Sequence, residues 1–306
     1  MIPATLCSLN RLAGIVRPRP SHFSRCYSTT FAPQSPSTVE IIEVSPRDGL
    51  QNEKVPIPTE MKLNLIDNLA SAGLKRIEAS AFVSPKWVPQ MSDQNEVMAS
   101  VPRDGYQGLE YEVLTPNLKG YQAAKASGAD RVSVFGAASE GFCRSNINCT
   151  IDESIERFSE VIEAAKADGI KTRGYISCIA GCPFQGDVDV KDVVRVYEAM
   201  KGMGIEEISL GDTIGVGRPQ RVSEVLSALQ PSSPSLSDIA MHFHDTYGMG
   251  IANVLRSLDF GVNKFDSSAA GLGGCPYAGG GGEIRRGAKN GWSEGRLGRS
   301  DSKSTY

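Results

Sequence analysis

Two histidines lie two residues apart in a short apolar segment and could bind one metal ion. They are His242 and His244 in "MHFHD", residues 241–245, and they are two of only three histidines in the chain. Successive side chains of a β-strand point to opposite faces, so this pair would project from the same face. Such a pair is more often structural than metal-binding. Asp48, which follows another apolar segment, supplies the carboxylate that favours a metal site.

The residue types of this trio narrow the choice of metal. Two imidazoles and a carboxylate suit Mg²⁺, Mn²⁺ or Fe²⁺, and the absence of a thiolate argues against structural zinc. Arg47 precedes Asp48, and its positively charged guanidinium could stabilise an oxyanion that develops during metal-assisted enolate chemistry. The alternative for Arg47 is a structural salt bridge with Glu78 or Asp212.

A third reactive group lies in the glycine-rich segment "GLGGCPYA", residues 271–278. Glycines on both sides of Cys275 would let this loop close over a substrate, although an isolated cysteine is more often an inert buried thiol. Cys178 and Cys182 have no matching second pair and are predicted to be buried thiols. The seven cysteines are an odd number without a CxxC pair, which favours a reducing compartment over a disulfide framework.

The elements that must position these residues alternate between apolar strands and helical patterns. Eight strands are predicted, at 39–45, 74–80, 109–115, 131–136, 171–177, 206–211, 239–244 and 263–269. Thr59 is predicted to be the N-cap of the first helix, and Gly169 to close a helix that includes residues 154–168. This rhythm matches a (β/α)8 TIM barrel, with a doubly wound open sheet as the competitor.

The positions of the polar residues favour the barrel. Arg47 and Asp48 follow strand one, Glu78 ends strand two, and Asp212 follows strand six. His242 and His244 end strand seven, and Asp266 lies in strand eight. Catalytic residues of such barrels gather at the carboxyl ends of the strands, so these separate segments would converge on one mouth.

Composition limits the remaining functions. A net charge of −3 over 306 residues offers no general attraction to nucleic acid, and no apolar run approaches the length needed to span a bilayer. Residues 1–38 contain four arginines and no acidic residue, which is typical of a mitochondrial transit peptide. "RCYS", residues 25–28, resembles a processing site, so the mature protein is predicted to reside in the mitochondrial matrix.

Six segments together resemble the hydroxymethylglutaryl-CoA lyases. They are "SPRDGLQNEK" (45–54), "IEASAFVSPKWVPQM" (77–91), "SCIAGCPFQG" (177–186), "SLGDTIGVG" (209–217), "HFHDTYGMGIAN" (242–253) and "DSSAAGLGGCPYA" (266–278). "RDGLQ" and HxHDT also occur in isopropylmalate and homocitrate synthases, which leaves a condensing enzyme as an alternative. "GLGGCPYA", by contrast, resembles the cysteine loop of the lyases alone.

The resemblance implies cleavage of hydroxymethylglutaryl-CoA into acetoacetate and acetyl-CoA, a step of leucine breakdown and ketone-body formation. Asp48, His242 and His244 would hold Mg²⁺ or Mn²⁺, Arg47 would stabilise the enolate, and Cys275 would protonate it. The resemblance also gives Glu78 and Asp212 proton-handling or supporting roles. Lys54, together with Arg47, is a candidate for substrate binding. The implied partner is a small acyl-CoA substrate, without nucleic acid or membrane, and a homodimer is the candidate assembly.

The resemblance covers residues 39–278, the predicted catalytic domain, and stops after Ala278. In related lyases an asparagine ligand and the eighth barrel helix follow, whereas here Gly281, Gly282, Glu283 and Ile284 occupy the corresponding place. Residues 279–306 are predicted to be a disordered Gly/Arg-rich tail, produced by a frameshift or a retained intron. The alternative is a genuine tail that contacts RNA or an acidic partner. A barrel that lacks its final helix would be marginally stable, so a poorly folded or inactive truncated product is a further alternative.

Overall fold

The computed structural model describes residues 36–278. The predicted leader at 1–38 therefore lies outside the described residues apart from its last three, and the predicted tail at 279–306 lies entirely outside them. No helix within residues 36–278 has both the length and the apolar character of a membrane span.

Eight parallel strands close into a barrel. They are β1 (Glu40–Glu43), β2 (Arg76–Ala81), β3 (Glu110–Leu114), β4 (Arg131–Ala137), β5 (Lys171–Ser177), β6 (Glu207–Asp212), β7 (Ile239–Phe243) and β8 (Lys264–Ser267). Each strand pairs with its neighbour in sequence, and β8 closes the ring by pairing with β1, with Glu40 opposite Lys264. The (β/α)8 prediction is confirmed, and the open doubly wound sheet is excluded.

Eight α-helices lie between the strands. They are α1 (Thr59–Ser71), α2 (Gln94–Ser100), α3 (Leu118–Ala126), α4 (Glu140–Ile147), α5 (Ile151–Asp168), α6 (Val190–Gly202), α7 (Pro219–Leu229) and α8 (Gly250–Asp259). Helix α5 begins at a capping box between Thr150 and Glu153 and ends, as predicted, at Gly169 in the left-handed conformation with φ 69°.

The predicted N-cap of α1 is wrong by one residue. Pro58 occupies the cap with φ −58° and ψ 144°, and Thr59 is the first helical residue. The hydroxyl of Thr59 donates instead to Asp93, at 2.9 Å, which ties the start of α1 to the segment that precedes α2. The threonine therefore stabilises a tertiary contact rather than the helix end.

Alternation along the strands separates an apolar outer layer from a polar interior. Outward side chains such as Ile77, Val132 and Met241 are fully buried between the barrel and its helices. Burial of one such side chain contributes about 1.5–3 kcal/mol, so this layer supplies most of the favourable free energy of folding. The inward face of the same strands can therefore carry charge.

The described part of the chain contains no α-helix after β8; a 3-10 turn, Ala269–Gly271, follows the strand. The outward side chain of Phe265 on β8 is nevertheless only 4% exposed. Exposed apolar side chains lie instead on α8, where Ile251 is 55% and Leu255 is 59% exposed. The outward face of β8 is thus covered at Phe265, and marginal stability of the barrel stays a prediction.

Candidate active site

The carboxyl ends of β1 and β7 bring Asp48, His242 and His244 together. One donor atom from each residue lies within 4.8 Å of the others. The two imidazole Nε2 atoms are 3.1 Å apart, and the nearer carboxylate oxygen of Asp48 is 3.7 Å from Nε2 of His242. Two imidazoles and one carboxylate at this spacing fit a divalent cation that keeps open coordination positions.

A short π-helical turn, Ser45–Gly49, places Arg47 and Asp48 at the mouth of the barrel. The backbone N–H groups of Asp48 and Gly49 both donate to the carbonyl of Val44, at 2.8 and 3.2 Å. A side chain at position 49 would come within 3.0 Å of Ser268 Oγ and 3.2 Å of Leu272. Glycine at this position therefore lets the turn pack against the segment after β8.

The two histidines differ in their electrostatic environment. Burial opposes ionisation of His242, but its contact with Asp266, at 3.0 Å from Nδ1, raises the pKa of this imidazole. Burial and the neighbouring His242 together lower the pKa of His244 to about 4. His244 is therefore neutral at physiological pH, as a metal ligand must be.

Arg47 lies between two carboxylates and lines a cavity that the metal-ligand candidates also line. Its guanidinium is 2.6 Å from Glu78 and 2.7 Å from Asp48. The guanidinium carbon also lies 5.6 Å from the centre of the Tyr175 ring. The structural salt bridge with Glu78 is present, and the same geometry presents a fixed cation to the cavity.

Glu78 and Asp212 are buried behind the cavity and are absent from its lining. Burial raises the pKa of Glu78 to about 7 despite the opposing charge of Arg47. Burial likewise raises the pKa of Asp212 to about 6, although the carboxylate accepts the backbone N–H of Gly217 at 2.8 Å. This bond fixes the loop of residues 212–217, which includes the cavity-lining Thr213.

The raised pKa of Glu78 predicts a pH-dependent stability of the metal-free protein. Between its ordinary value of 4.5 and about 7, the folded state binds a proton that the unfolded state has released. The unfolding free energy is therefore higher at low pH. This contribution is fully present below pH 4.5, is lost as the pH rises through 7, and amounts to about 3 kcal/mol at most. Urea denaturation should show a shallower fall in unfolding free energy between pH 5 and 8 for Glu78→Gln than for the wild type; equal slopes would contradict the shift.

This cavity has a volume of about 590 Å³ and joins the metal-ligand candidates to the loop of residues 271–278, called the cysteine loop below. Its lining includes Arg47, Asp48, His242, His244 and Cys275. Burial raises the pKa of Cys275, which keeps this side chain a protonated thiol. The sequence-predicted acid, cation and metal ligands therefore meet in one space.

Contacts that the sequence did not predict hold the cysteine loop. The side-chain amide of Asn52 donates to the carbonyl of Gly274 at 3.0 Å. The Tyr277 ring lies edge-on to Phe184, with ring centres 4.9 Å apart, and 6.3 Å from Phe142. "CPYA" itself holds the only signal for this aromatic contact, since Tyr277 follows the cysteine by two residues.

Other predicted positions lie elsewhere. Lys54 is exposed and is not part of the cavity lining, so its role in substrate binding stays a prediction. Cys178 and Cys182 are buried, as predicted. The thiol of Cys182 lies 2.9 Å from the Ser139 hydroxyl, which is consistent with a packed structural side chain.

A (β/α)8 barrel that brings three candidate metal ligands and a fixed arginine together at its carboxyl end has the arrangement expected of a metal-dependent barrel enzyme. The HMGL-like family model matches residues 38–283. The chain belongs to this family.

Relatives of the chain carry lyase names. It is 53% identical over 254 residues to the mitochondrial hydroxymethylglutaryl-CoA lyase of Bos taurus, covering 83% of this chain and 77% of that protein. It is 51% identical over 246 residues to the cytoplasmic 3-hydroxy-3-methylglutaryl-CoA lyase of Mus musculus, covering 80% and 71%.

The chain also matches solved structures of hydroxymethylglutaryl-CoA lyases. The hydroxymethylglutaryl-CoA lyase of Pseudomonas aeruginosa matches with a TM-score of 0.79 at 50% identity, covering 82% of this chain and 83% of that one. The enzyme of Acinetobacter baumannii, in complex with coenzyme A and 3-methylmalate, matches with a TM-score of 0.76 at 36% identity, covering 81% and 80%.

Proposed function

We propose that this chain cleaves 3-hydroxy-3-methylglutaryl-CoA into acetoacetate and acetyl-CoA. The observation that carries the proposal is the position of Cys275 in the same cavity as Asp48, His242 and His244. The cysteine loop separates lyases from the condensing enzymes that the metal-binding motif would also fit. The lyase relatives at about half identity support the same choice.

Asp48, His242 and His244 would hold the cation, with Mg²⁺ or Mn²⁺ as the metals that this donor set favours. The bound cation would act as a Lewis acid toward the tertiary hydroxyl oxygen of the substrate. Glu78 and Asp212 are the two candidates to take the hydroxyl proton, and because neither lines the cavity, the proton would reach the carboxylate through one bridging water. Both have a pKa raised towards neutrality by burial, which is the property a general base needs.

Loss of this proton breaks the bond between C2 and C3 of the acyl chain. The electron pair of the bond moves to the thioester and produces the enolate of acetyl-CoA, while C3 becomes the ketone of acetoacetate. Arg47 lies in the cavity with its guanidinium fixed by Glu78 and Asp48, and it stabilises the enolate oxygen without reorganisation.

Cys275 completes the reaction by donating its proton to the enolate carbon. Its burial-raised pKa keeps the proton on sulfur until the strongly basic carbanion carbon forms. The contacts of Tyr277 and Asn52 position the loop that delivers it. The thiol then regains a proton from the protonated carboxyl group or from water.

The cavity leaves room for an acyl-CoA partner. Its wall extends from the metal-ligand candidates to Trp87, whose ring is largely exposed, so a pantetheine chain could leave the barrel along this side. Coenzyme A bound to the Acinetobacter enzyme supports this class of ligand. A homodimer is the assembly we propose for the protein.

The mitochondrial matrix is the compartment that we propose. The arginine-rich, acid-free composition of residues 1–38 supports it, as does the mitochondrial name of the bovine relative. A cytoplasmic location, like that of the mouse relative, is the competing outcome. Microscopy of the full chain with a C-terminal fluorescent label distinguishes the two compartments.

The activity is tested by incubating the full chain with the thioester and Mg²⁺ or Mn²⁺. Acetoacetate and acetyl-CoA should form in equal amounts, and a chelator should stop the reaction. Condensation of acetyl-CoA with a 2-oxo acid, with release of free coenzyme A, would favour the synthase alternative instead.

The inactive-product alternative is less well supported. The barrel is closed, and the cysteine loop is held by residues that precede position 279. A full chain that unfolds cooperatively but yields no product in this assay would reinstate that alternative.

A further inference from the structure

Asp266 occupies a position in β8 that none of the predicted catalytic roles uses. Its side chain is almost fully buried and connects the metal-ligand candidate His242 with Arg173, a fully buried arginine on β5. One carboxylate oxygen lies 3.0 Å from Nδ1 of His242, and the other binds the Arg173 guanidinium.

The chemistry of this contact fixes the hydrogen position on His242. An ionised carboxylate can only accept hydrogen bonds, so Nδ1 of the imidazole must donate. A neutral imidazole carries a single N–H group, and Nε2 is then left with its lone pair. That nitrogen faces Nε2 of His244 and the carboxylate of Asp48.

Both oxygens of Asp266 are held in place. The Ser209 hydroxyl donates to the oxygen that faces His242, at 2.9 Å. Arg173 is fixed in turn by Glu207, at 3.0 Å, and by the hydroxyl of Tyr175, at 2.8 Å. The carboxylate therefore cannot rotate away from the imidazole without losing its buried ion pair with Arg173.

We propose that Asp266, anchored by Arg173 and Ser209, is a positioning residue that holds His242 in the tautomer and orientation required to bind the metal. This inference deepens the proposed function, because it assigns a task to a residue behind the metal site. A histidine ligand that donates its other N–H to a carboxylate typically loses about 10–100-fold in metal affinity when that partner is changed.

Asp266→Asn tests the proposal with almost no change in shape. Arg173 keeps its bond to the amide oxygen, so the amide nitrogen would replace the oxygen that faces His242. That nitrogen is a donor, so Nδ1 must become the acceptor and Nε2 takes the proton. We expect the affinity for Mn²⁺, measured by titration calorimetry on the full chain, to fall about 10–100-fold.

The tautomer is measured directly in the metal-free protein. With only three histidines in the chain, ¹⁵N-labelled imidazoles give a simple long-range proton–nitrogen spectrum. At a pH above the raised pKa of His242, where its imidazole is neutral, the wild type should show His242 protonated at Nδ1 only, and Asp266→Asn should show it protonated at Nε2 only. A wild-type His242 protonated at Nε2 would overturn the proposal whatever the metal affinity.

Glu207→Gln is the matched control, because it also removes a carboxylate from Arg173 but makes no contact with His242. It should lower the melting temperature while leaving Mn²⁺ affinity within about twofold of the wild type. An equal loss of affinity in both variants, or unchanged affinity in Asp266→Asn, would reduce Asp266 to a structural role.

Two further outcomes are decisive. If Asp266→Asn does not fold, Ser209→Ala removes one bond to the same oxygen and should lower Mn²⁺ affinity several-fold; unchanged affinity would contradict the proposal. A wild type that shows the Nδ1–H tautomer yet binds no Mn²⁺ would refute the metal site itself, and with it the metal-binding half of this inference.

Discussion

His244→Ala should lower the affinity for Mn²⁺ by more than about 100-fold and reduce cleavage to background. The ring contributes one of three donors in the site, and its Nε2 lies 3.1 Å from that of His242. Substitution of a residue that hydrogen-bonds to a metal ligand typically lowers metal affinity about 10–100-fold, and loss of the ligand itself should lower it at least as much. Titration calorimetry and product formation measure the two effects on the same preparation.

His22→Ala is the matched control, since it removes the one histidine that lies outside the barrel segments. It should bind Mn²⁺ and cleave substrate as the wild type does. His244→Ala with wild-type affinity would show that the metal, if one binds, is held elsewhere. The whole mechanism would then lose its site.

Cys275→Ala should lower kcat by about 10²–10⁴-fold, the usual contribution of a positioned general acid. Metal affinity should stay close to that of the wild type, because the thiol belongs to the cysteine loop and not to the donor set of Asp48, His242 and His244. The comparison therefore separates loss of proton transfer from loss of the metal site.

Cys149→Ala provides the control for loss of a buried thiol, because Cys149 is absent from the cavity lining. This variant should keep wild-type kcat. If Cys275→Ala retained kcat within about threefold, the enolate would have to be protonated by another group, and the cysteine loop would no longer distinguish a lyase from a condensing enzyme.

The fold could be predicted because each strand of a parallel barrel is a short apolar run of its own. The predicted strand at 171–177 has the same bounds as β5, and the predicted bounds of the other strands differ from the observed ones by at most two residues at either end. Thr59 failed as an N-cap because Pro58 takes that position, and the threonine hydroxyl finds Asp93 from a distant segment. Local sequence does not encode that tertiary contact.

The candidate metal ligands were also predictable, since strand ends in a barrel meet at one mouth. Contacts across the barrel were not. Arg173 on β5 meets Asp266 on β8, although the two strands are not neighbours. The relative height of their side chains depends on the tilt and register of all the strands between them, which no pattern within one strand specifies.

The cysteine loop shows the same limit. Its glycines indicated mobility, but its position depends on the packing of Tyr277 against Phe142 and Phe184. These rings come from segments more than 90 residues away in sequence. Loop packing of this kind is settled only by the folded surface that the loop meets.

The central claim is tested most directly by following the cleavage of hydroxymethylglutaryl-CoA by the full chain in D₂O with Mn²⁺. Enolate formation and protonation by the exchanged thiol of Cys275 predict acetyl-CoA with one deuterium in its methyl group, and an equal amount of acetoacetate that carries none when first formed. Mass spectrometry of early time points measures both. Release of free coenzyme A with intact hydroxymethylglutarate, or no reaction at all, would contradict the assignment of this chain as a carbon–carbon lyase.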